Sequence, residues 1–300
     1  YTFLTICALK NVDLKKVFKV ALVSLIFIVT LIAALALLNI TGIVAVTENF
    51  GRGEAVSTIE TRYYMGYIHP NTWAHAMFTI FLLATIVFFE RIDWKGIGIL
   101  LLANYGLYRL AVSRTCFLCG IALVILLIWV KYGKKLFEFA VIRIGILLGV
   151  AALWGIIFTC RIDIQSSLTW TIIDWKIFTG RLAQAQAYLK ACGLSVWGVH
   201  VPDVLDNGYI LDMGYMRMLL ENGLVIFSLM FLATMAVLVY AFKQKRNDIV
   251  IVVICICLYG IYENLAIAQI PANLILYYVS LLIFQQKALE LDEKSSVKTI

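Results

Sequence analysis

Residues 20–38 read VALVSLIFIVTLIAALALL, an apolar run without one charged side chain. Coiled as a helix, about 18 or more such residues match the hydrocarbon thickness of a bilayer. The run lacks the polar–apolar alternation of a transmembrane strand. Lys10, Lys15, Lys16 and Lys19 precede it, and the polar link Asn39 to Asn71 follows. It reads as a spanning helix with a basic flank, and that pattern recurs along the chain.

The composition agrees. Hydrophobic residues make up 63% of the chain and charged ones 14%, with a mean hydropathy of +0.94. A soluble domain carries about 25% charged residues, so this is an integral membrane protein. Further spans are expected at Thr72–Phe89, Gly96–Val112, Cys116–Val130, Leu136–Thr159, Met216–Phe242, Ile249–Ile267 and Leu274–Phe284. The fold class is all-α, a polytopic membrane protein with about eight transmembrane helices. Residues 1–300 form a single membrane domain, 160–214 a long extracytoplasmic loop containing short helices, and 286–300 a charged cytoplasmic tail. The chain opens on YTFLTICAL without an initiator Met, as the tail of an apolar helix would; it reads as a fragment lacking upstream helices. No repeat of fixed period is present.

Charge sets the orientation. The net charge of +7 does not point to nucleic acid, because basic cytoplasmic loops supply it in a polytopic protein. Lys10, Lys15, Lys16, Lys19, Arg91, Lys95, Lys131, Lys134, Lys135, Lys243, Lys245, Arg246 and the tail lysines fall on one side, which the positive-inside rule makes cytoplasmic. Both long polar segments then face outside. The opposite side carries mainly arginine: Arg52, Arg62, Arg109, Arg114, Arg161, Arg181 and Arg217. Topology needs no such split. Arginine adds a planar fork of donors that holds phosphate or carboxylate in two-point contact. The outer face therefore reads as built for an anion, against the alternative of arginines snorkelling to headgroups or pairing with outer acids.

Four clusters carry candidate chemistry. In TRYYMGYIHPN (61–71), Arg62, His69 and Asn71 stand among Tyr63, Tyr64 and Tyr67, either as an aromatic belt or as a sugar-binding mouth. Ser113-Arg114-Thr115 joins two spans, with Arg109 one turn earlier and no acid nearby in sequence. Phe178-Thr179-Gly180-Arg181 leads into the amphipathic LAQAQAYLKA; with Thr179 as cap, that helix start is a candidate phosphate site, or else the helix merely lies on the membrane. Asp206-Asn207-Gly208-Tyr209 is a turn signature whose carboxylate is also a candidate base, followed by Asp212, Arg217 and Glu221. Glu263, inside an apolar run, is expected to pair with an outer arginine. Of the seven cysteines, Cys116 and Cys119 form a lone CxxC without a completing ligand set, so no metal or other cofactor is expected. A Cys160–Cys192 disulfide stays open.

The order RYYMGYIHPN, SRT, FTGRL, DNGY and YEN, with its sidedness, resembles the bacterial Wzy-type polysaccharide polymerases of the O-antigen polymerase and ligase superfamily, over about Arg62 to Asn273. The resemblance implies a GT-C-like, metal-independent membrane glycosyltransferase in the bacterial cytoplasmic (inner) membrane, with its active site facing outside. It would polymerise undecaprenyl-diphosphate-linked oligosaccharide units into capsule, exopolysaccharide or O-antigen. It also implies a flippase and a chain-length regulator as protein partners. On that reading Arg62, Arg114 and Arg181 neutralise the diphosphate, and Asp206 or His69 is the base, with His200 a third candidate. Tyr67, Asn71, Tyr209, Arg217 and Glu263 contact substrate. A ligase-type glycan transferase shares this chemistry. A lipid-linked-sugar flippase or anion transporter is the reading from another class, disfavoured by charges gathered at one face rather than in mid-span.

Overall fold

A computed structural model of the chain describes residues 6–10, 12–50, 58–133, 138–161, 167–206, 208–264, 267 and 273–284. Arg52, Asn207, residues 268–272 and the tail 286–300 lie outside the described residues, as does the Arg161 side chain. Helix accounts for 76% of the structure, consistent with the all-α expectation. The chain divides into two compact units, residues 13–132 and residues 1–12 with 133–300.

In the unit 13–132, α1 (Leu14–Leu37) is capped by the Asp13 carboxylate, which accepts from the Lys15 N–H. The link that follows is not merely irregular. Strands β1 (Ala45–Phe50) and β2 (Thr58–Tyr63) pair antiparallel, with Val46 opposite Arg62 and Thr47 opposite Thr61. The Thr47 and Thr61 hydroxyls meet at 2.8 Å. After the hairpin come α2 (Pro70–Phe88), α3 (Trp94–Ala111) and α4 (Arg114–Tyr132). Helix α2 packs on α1, α3 and α4, and β2 packs on α3. Asn104 of α3 is buried and donates to the Phe117 carbonyl of α4, an interhelical polar contact of the kind that holds membrane helices together.

In the unit containing 133–300, α5 (Ala140–Gly155) runs into a 3-10 segment, Ile156–Arg161. Then come α6 (Leu168–Ile173), a π-helical turn (Asp174–Phe178) and α7 (Arg181–Cys192). Helices α8 (Gly214–Lys243) and α9 (Asn247–Tyr262) form a hairpin whose turn is closed by two hydrogen bonds from Arg246 to the Asp248 carboxylate, 2.9 and 2.7 Å. Trp154 anchors α5 against Tyr215, Phe227 and Phe231 of α8, with ring centroids 5.0, 5.0 and 5.9 Å away. Helix α10 spans Leu274–Phe284, its start capped by Asn273.

Among the described residues, five helical segments are long and apolar enough to cross a membrane: Leu14–Leu37, Pro70–Arg91, Arg114–Tyr132, Ala140–Cys160 and Gly214–Lys243. Two of the other three expected spans fall short for physical reasons. Helix α3 carries Lys95, Asn104 and Arg109 among its apolar residues. The expected span Ile249–Ile267 stops being helical at Tyr262, so α9 is about 24 Å long against a hydrocarbon core of about 30 Å. The described residues of α10, Leu274–Phe284, extend about 16 Å. Helix α8 is also not continuous. At Gly223, φ is 76° and ψ 173°, which breaks the hydrogen-bond ladder.

Candidate functional site

The break in α8 is filled by backbone from the long connecting segment. Val199 N–H donates to the Leu220 carbonyl at 2.7 Å, while Leu224 and Val225 N–H groups donate to the Ser195 and Val196 carbonyls at 3.1 and 3.3 Å. A β-carbon on Gly223 would sit 2.3 Å from the Val196 oxygen, and one on Gly198 would sit 2.2 Å from the Glu221 oxygen. Only glycine permits this approach and both positive φ angles. Residues 214–222 thus form a short half-helix, fixed to the connecting segment, that presents Arg217 and Glu221.

The connecting segment covers the end of this unit at which α8 begins and α9 ends. Lys243, Lys245 and Arg246 sit at the opposite end of both helices. Gly214 brings the start of α8 against α9, since a β-carbon there would lie 2.7 Å from the Glu263 carbonyl oxygen. Glu263 is therefore held at the junction of two helices as the residue after α9, with only 6% of its surface exposed.

Arg181, the first residue of α7, reaches this junction. Its Nε donates to the Tyr262 carbonyl at 2.6 Å and one Nη to the Glu263 carboxylate at 3.2 Å. The same Nη lies 3.5 Å from the Asp212 carboxylate, and the other donates to the Thr179 hydroxyl. The guanidinium also lies over the Tyr262 ring, 5.9 Å from its centroid. The arginine partner expected for Glu263 is thus Arg181. Burial pushes the Glu263 carboxyl up to about 7, against the downward pull of Arg181 and with a smaller upward push from Asp212. A carboxyl titrating near neutrality at a cationic site is suited to proton transfer.

The start of α7 differs from the expectation of a phosphate site. Its cap residue is Gly180, not Thr179. Its free N–H groups at Leu182 and Ala183 are filled by the two Asp174 carboxylate oxygens, at 2.9 and 3.0 Å. An internal carboxylate takes the place proposed for the ligand. Burial raises the Asp174 carboxyl, and those two backbone donors and Arg181 oppose the rise.

The 203–210 loop is a turn, closed by the antiparallel bridge Val204–Ile210 and by the Leu205 N–H donating to the Tyr209 carbonyl at 3.0 Å. Asp206 is exposed on it, so the partly desolvated setting expected of a base is absent. His200 is exposed as well. Tyr188 of α7, itself fully buried, directs its hydroxyl to the Asp203 and Tyr209 carbonyls at 3.0 and 2.9 Å and pins the loop. Arg217 bonds Glu221 at 2.6 Å and approaches Asp203 at 3.6 Å.

In the unit 13–132, the hairpin, the start of α2 and the α3–α4 junction hold the remaining candidates. Arg62 on β2 is 7% exposed and 3.5 Å from Glu60. His69 caps α2, its Nδ1 accepting from the Asn71 N–H at 3.1 Å. Its ring stands edge-on to Tyr64, centroids 6.2 Å apart. Tyr67 is half-buried, Ser113 is buried and Arg114 is exposed. At the opposite ends of these helices, Lys131 bonds the Phe89 carbonyl and lies over that ring, and Trp94 stacks on Tyr132.

Arg181, Glu263, Asp206, Tyr209 and Arg217 thus share one unit, while Arg62, Tyr67, His69, Asn71 and Arg114 share the other. Asp174 and Tyr188 were not singled out by the sequence. Their roles come from contacts between distant segments, for which no local motif exists. Cys160 and Cys192 are both free thiols. Among the described residues, no group of three His, Cys, Asp or Glu is placed to hold a metal ion. Compared with protein-family models, curated proteins and solved structures, the chain matches none.

Proposed function

We propose that the protein is a metal-independent membrane glycosyltransferase of the polysaccharide-polymerase type, with a GT-C-like fold. It would join undecaprenyl-diphosphate-linked oligosaccharide units at the outer face of a bacterial cytoplasmic membrane. The observation that carries this reading is the Arg181–Glu263–Asp212 cluster, at the helix ends opposite Lys243, Lys245 and Arg246. In the other unit Arg62 and Arg114 likewise stand at the helix ends opposite Lys95 and Lys131. A lipid diphosphate leaving group needs cationic forks, and a sugar nucleophile needs a proton acceptor.

In the proposed step, an acceptor sugar hydroxyl attacks the anomeric carbon of the lipid-linked chain. The bond from that carbon to the diphosphate oxygen breaks, and its electron pair leaves with the diphosphate. The hydroxyl proton passes to Glu263, which replaces Asp206 and His69 as the preferred base. Arg181 neutralises the diphosphate, and Tyr209 and Arg217 line the sugar path. A flippase and a chain-length regulator are the protein partners that belong to this reading.

Purified protein in vesicles, supplied with a lipid-diphosphate-linked oligosaccharide, should yield a ladder of repeats. Transfer of one block to a different acceptor would indicate a ligase instead. A transporter is the second reading, favoured by the break in α8, since carriers use interrupted helices. The groups around that break are hydrogen-bonded to residues 195–199, which argues against their serving a solute. Movement of intact glycan across the vesicle membrane would support the transporter.

A further inference from the structure

The connecting segment between α5 and α8 was set apart by its polarity, yet it presents a row of large apolar side chains. On α6 and the following turn, Leu168 is 77% exposed and Trp175 60%, with Ile172 and Ile177 also exposed. Leu168 and Ile172 stand one turn apart on α6, and Trp175 follows in the π-helical turn. Asp174 instead caps α7, so another side of the element is already used internally. Further along, Leu194 and Val196 are exposed, and Trp197 is 77% exposed.

The second patch continues a surface already read as lipid-facing. Ser195 and Val196 accept backbone hydrogen bonds from Leu224 and Val225 of α8. Leu224, Ile226, Leu229 and Leu232 are exposed along that spanning helix. The backbone bonds of Ser195 and Val196 thus place exposed Val196 and Trp197 next to the start of the apolar part of α8. Exposed Lys176, between Trp175 and Ile177, adds a cation of the kind that settles at headgroup level. Tryptophan favours the same depth, because its ring is apolar and its N–H is not.

We infer that residues 168–178 and 194–197 are seated in the boundary between headgroups and acyl chains of the membrane that the chain spans, rather than standing off it in water. The occupant of the apolar row is lipid. The segment that carries Arg181 is thereby held at the level of the bilayer surface, where the diphosphate of a lipid carrier lies. The seating itself does not depend on the proposed activity.

The test uses the whole protein in vesicles and compares it with Trp175→Phe and Trp197→Phe. The emission removed by each substitution should be quenched about twofold or more by lipids brominated near the headgroup. It should respond less to bromines near the bilayer centre, and iodide in the water should leave it nearly unchanged. Quenching by iodide would place the segment in water and overturn the inference. Protection from both quenchers would show a protein surface covering it, with the same consequence. As an independent measurement on the unmodified protein, a lipid carrying a photoreactive group high on its acyl chain should label 168–178 and 194–197. Labelling confined to the long apolar helices would overturn it.

Discussion

Arg181 and Glu263 are 82 positions apart in the chain and meet at 3.2 Å, joining the start of a connecting-segment helix to the end of α9. The pair is unusual because Glu263 titrates near neutrality although an arginine touches it. Burial outweighs the attraction, and Asp212 adds to the burial effect. Near pH 7 the guanidinium therefore faces a partner that is charged only part of the time.

The same balance makes stability depend on pH. The folded carboxyl sits at about 7, above its value in the unfolded chain of about 4.3. Its neutral form is the one the fold favours. The contribution is full below about pH 4.3 and is lost as pH rises through about 7. Replacing Glu263 with Gln should flatten the pH dependence of the melting temperature between those values. An unchanged profile would show that Glu263 is not desolvated.

Replacing Arg181 with Lys keeps a charge and removes the fork that reaches Tyr262, Glu263 and Asp212 together. Activity should fall by about 100-fold with little change in the amount of folded protein. The matching Lys variants of Arg52 and Arg161 should fall much less. Near-normal turnover of Arg181→Lys would sink the diphosphate role.

The glycine contact between Gly223 and the 195–199 segment should tolerate no side chain. Gly223→Ala puts a β-carbon 2.3 Å from the Val196 oxygen, at a φ of 76° that alanine disfavours. A loss of roughly 2–4 kcal/mol is expected, read as a clear drop in melting temperature. Gly145, with open space around its β-position, is the control and should change little when made Ala.

Tyr188→Phe removes the hydroxyl that pins the Asp203 and Tyr209 carbonyls. A cost of about 1 kcal/mol in stability is expected. Limited proteolysis should then cut faster within 203–210 than in the parent. Unaltered cleavage there would mean the bridge Val204–Ile210 holds the loop without it.

The long apolar runs were legible because a lipid-spanning helix needs only length and composition, and α1, α2, α4, α5 and α8 lie close to where those runs put them. Helix ends were less legible. At the stop after Tyr262, Glu263 takes an extended conformation and bonds Arg181, a partner 82 positions away. The hairpin of Ala45–Phe50 and Thr58–Tyr63 was missed although Thr58-Ile59-Glu60-Thr61-Arg62-Tyr63 has strand composition, since the short alternation was masked by the polarity of the whole link. Asn222-Gly223 was a turn signal inside an apolar run and was outweighed by the run. The Asp174 cap and the Tyr188 anchor were beyond reach of the sequence, because each acts on residues that folding alone brings near.

The most direct test of the proposed activity is single-turnover reaction of vesicle-embedded protein with a radiolabelled lipid-diphosphate oligosaccharide, comparing the parent with Glu263→Gln and Arg181→Lys. The account predicts release of lipid diphosphate together with a doubled glycan in the parent. That rate should rise with pH through about 7, and both variants should be nearly inactive. Recovery of the labelled glycan still joined to its lipid, from parent and variants alike, would contradict it.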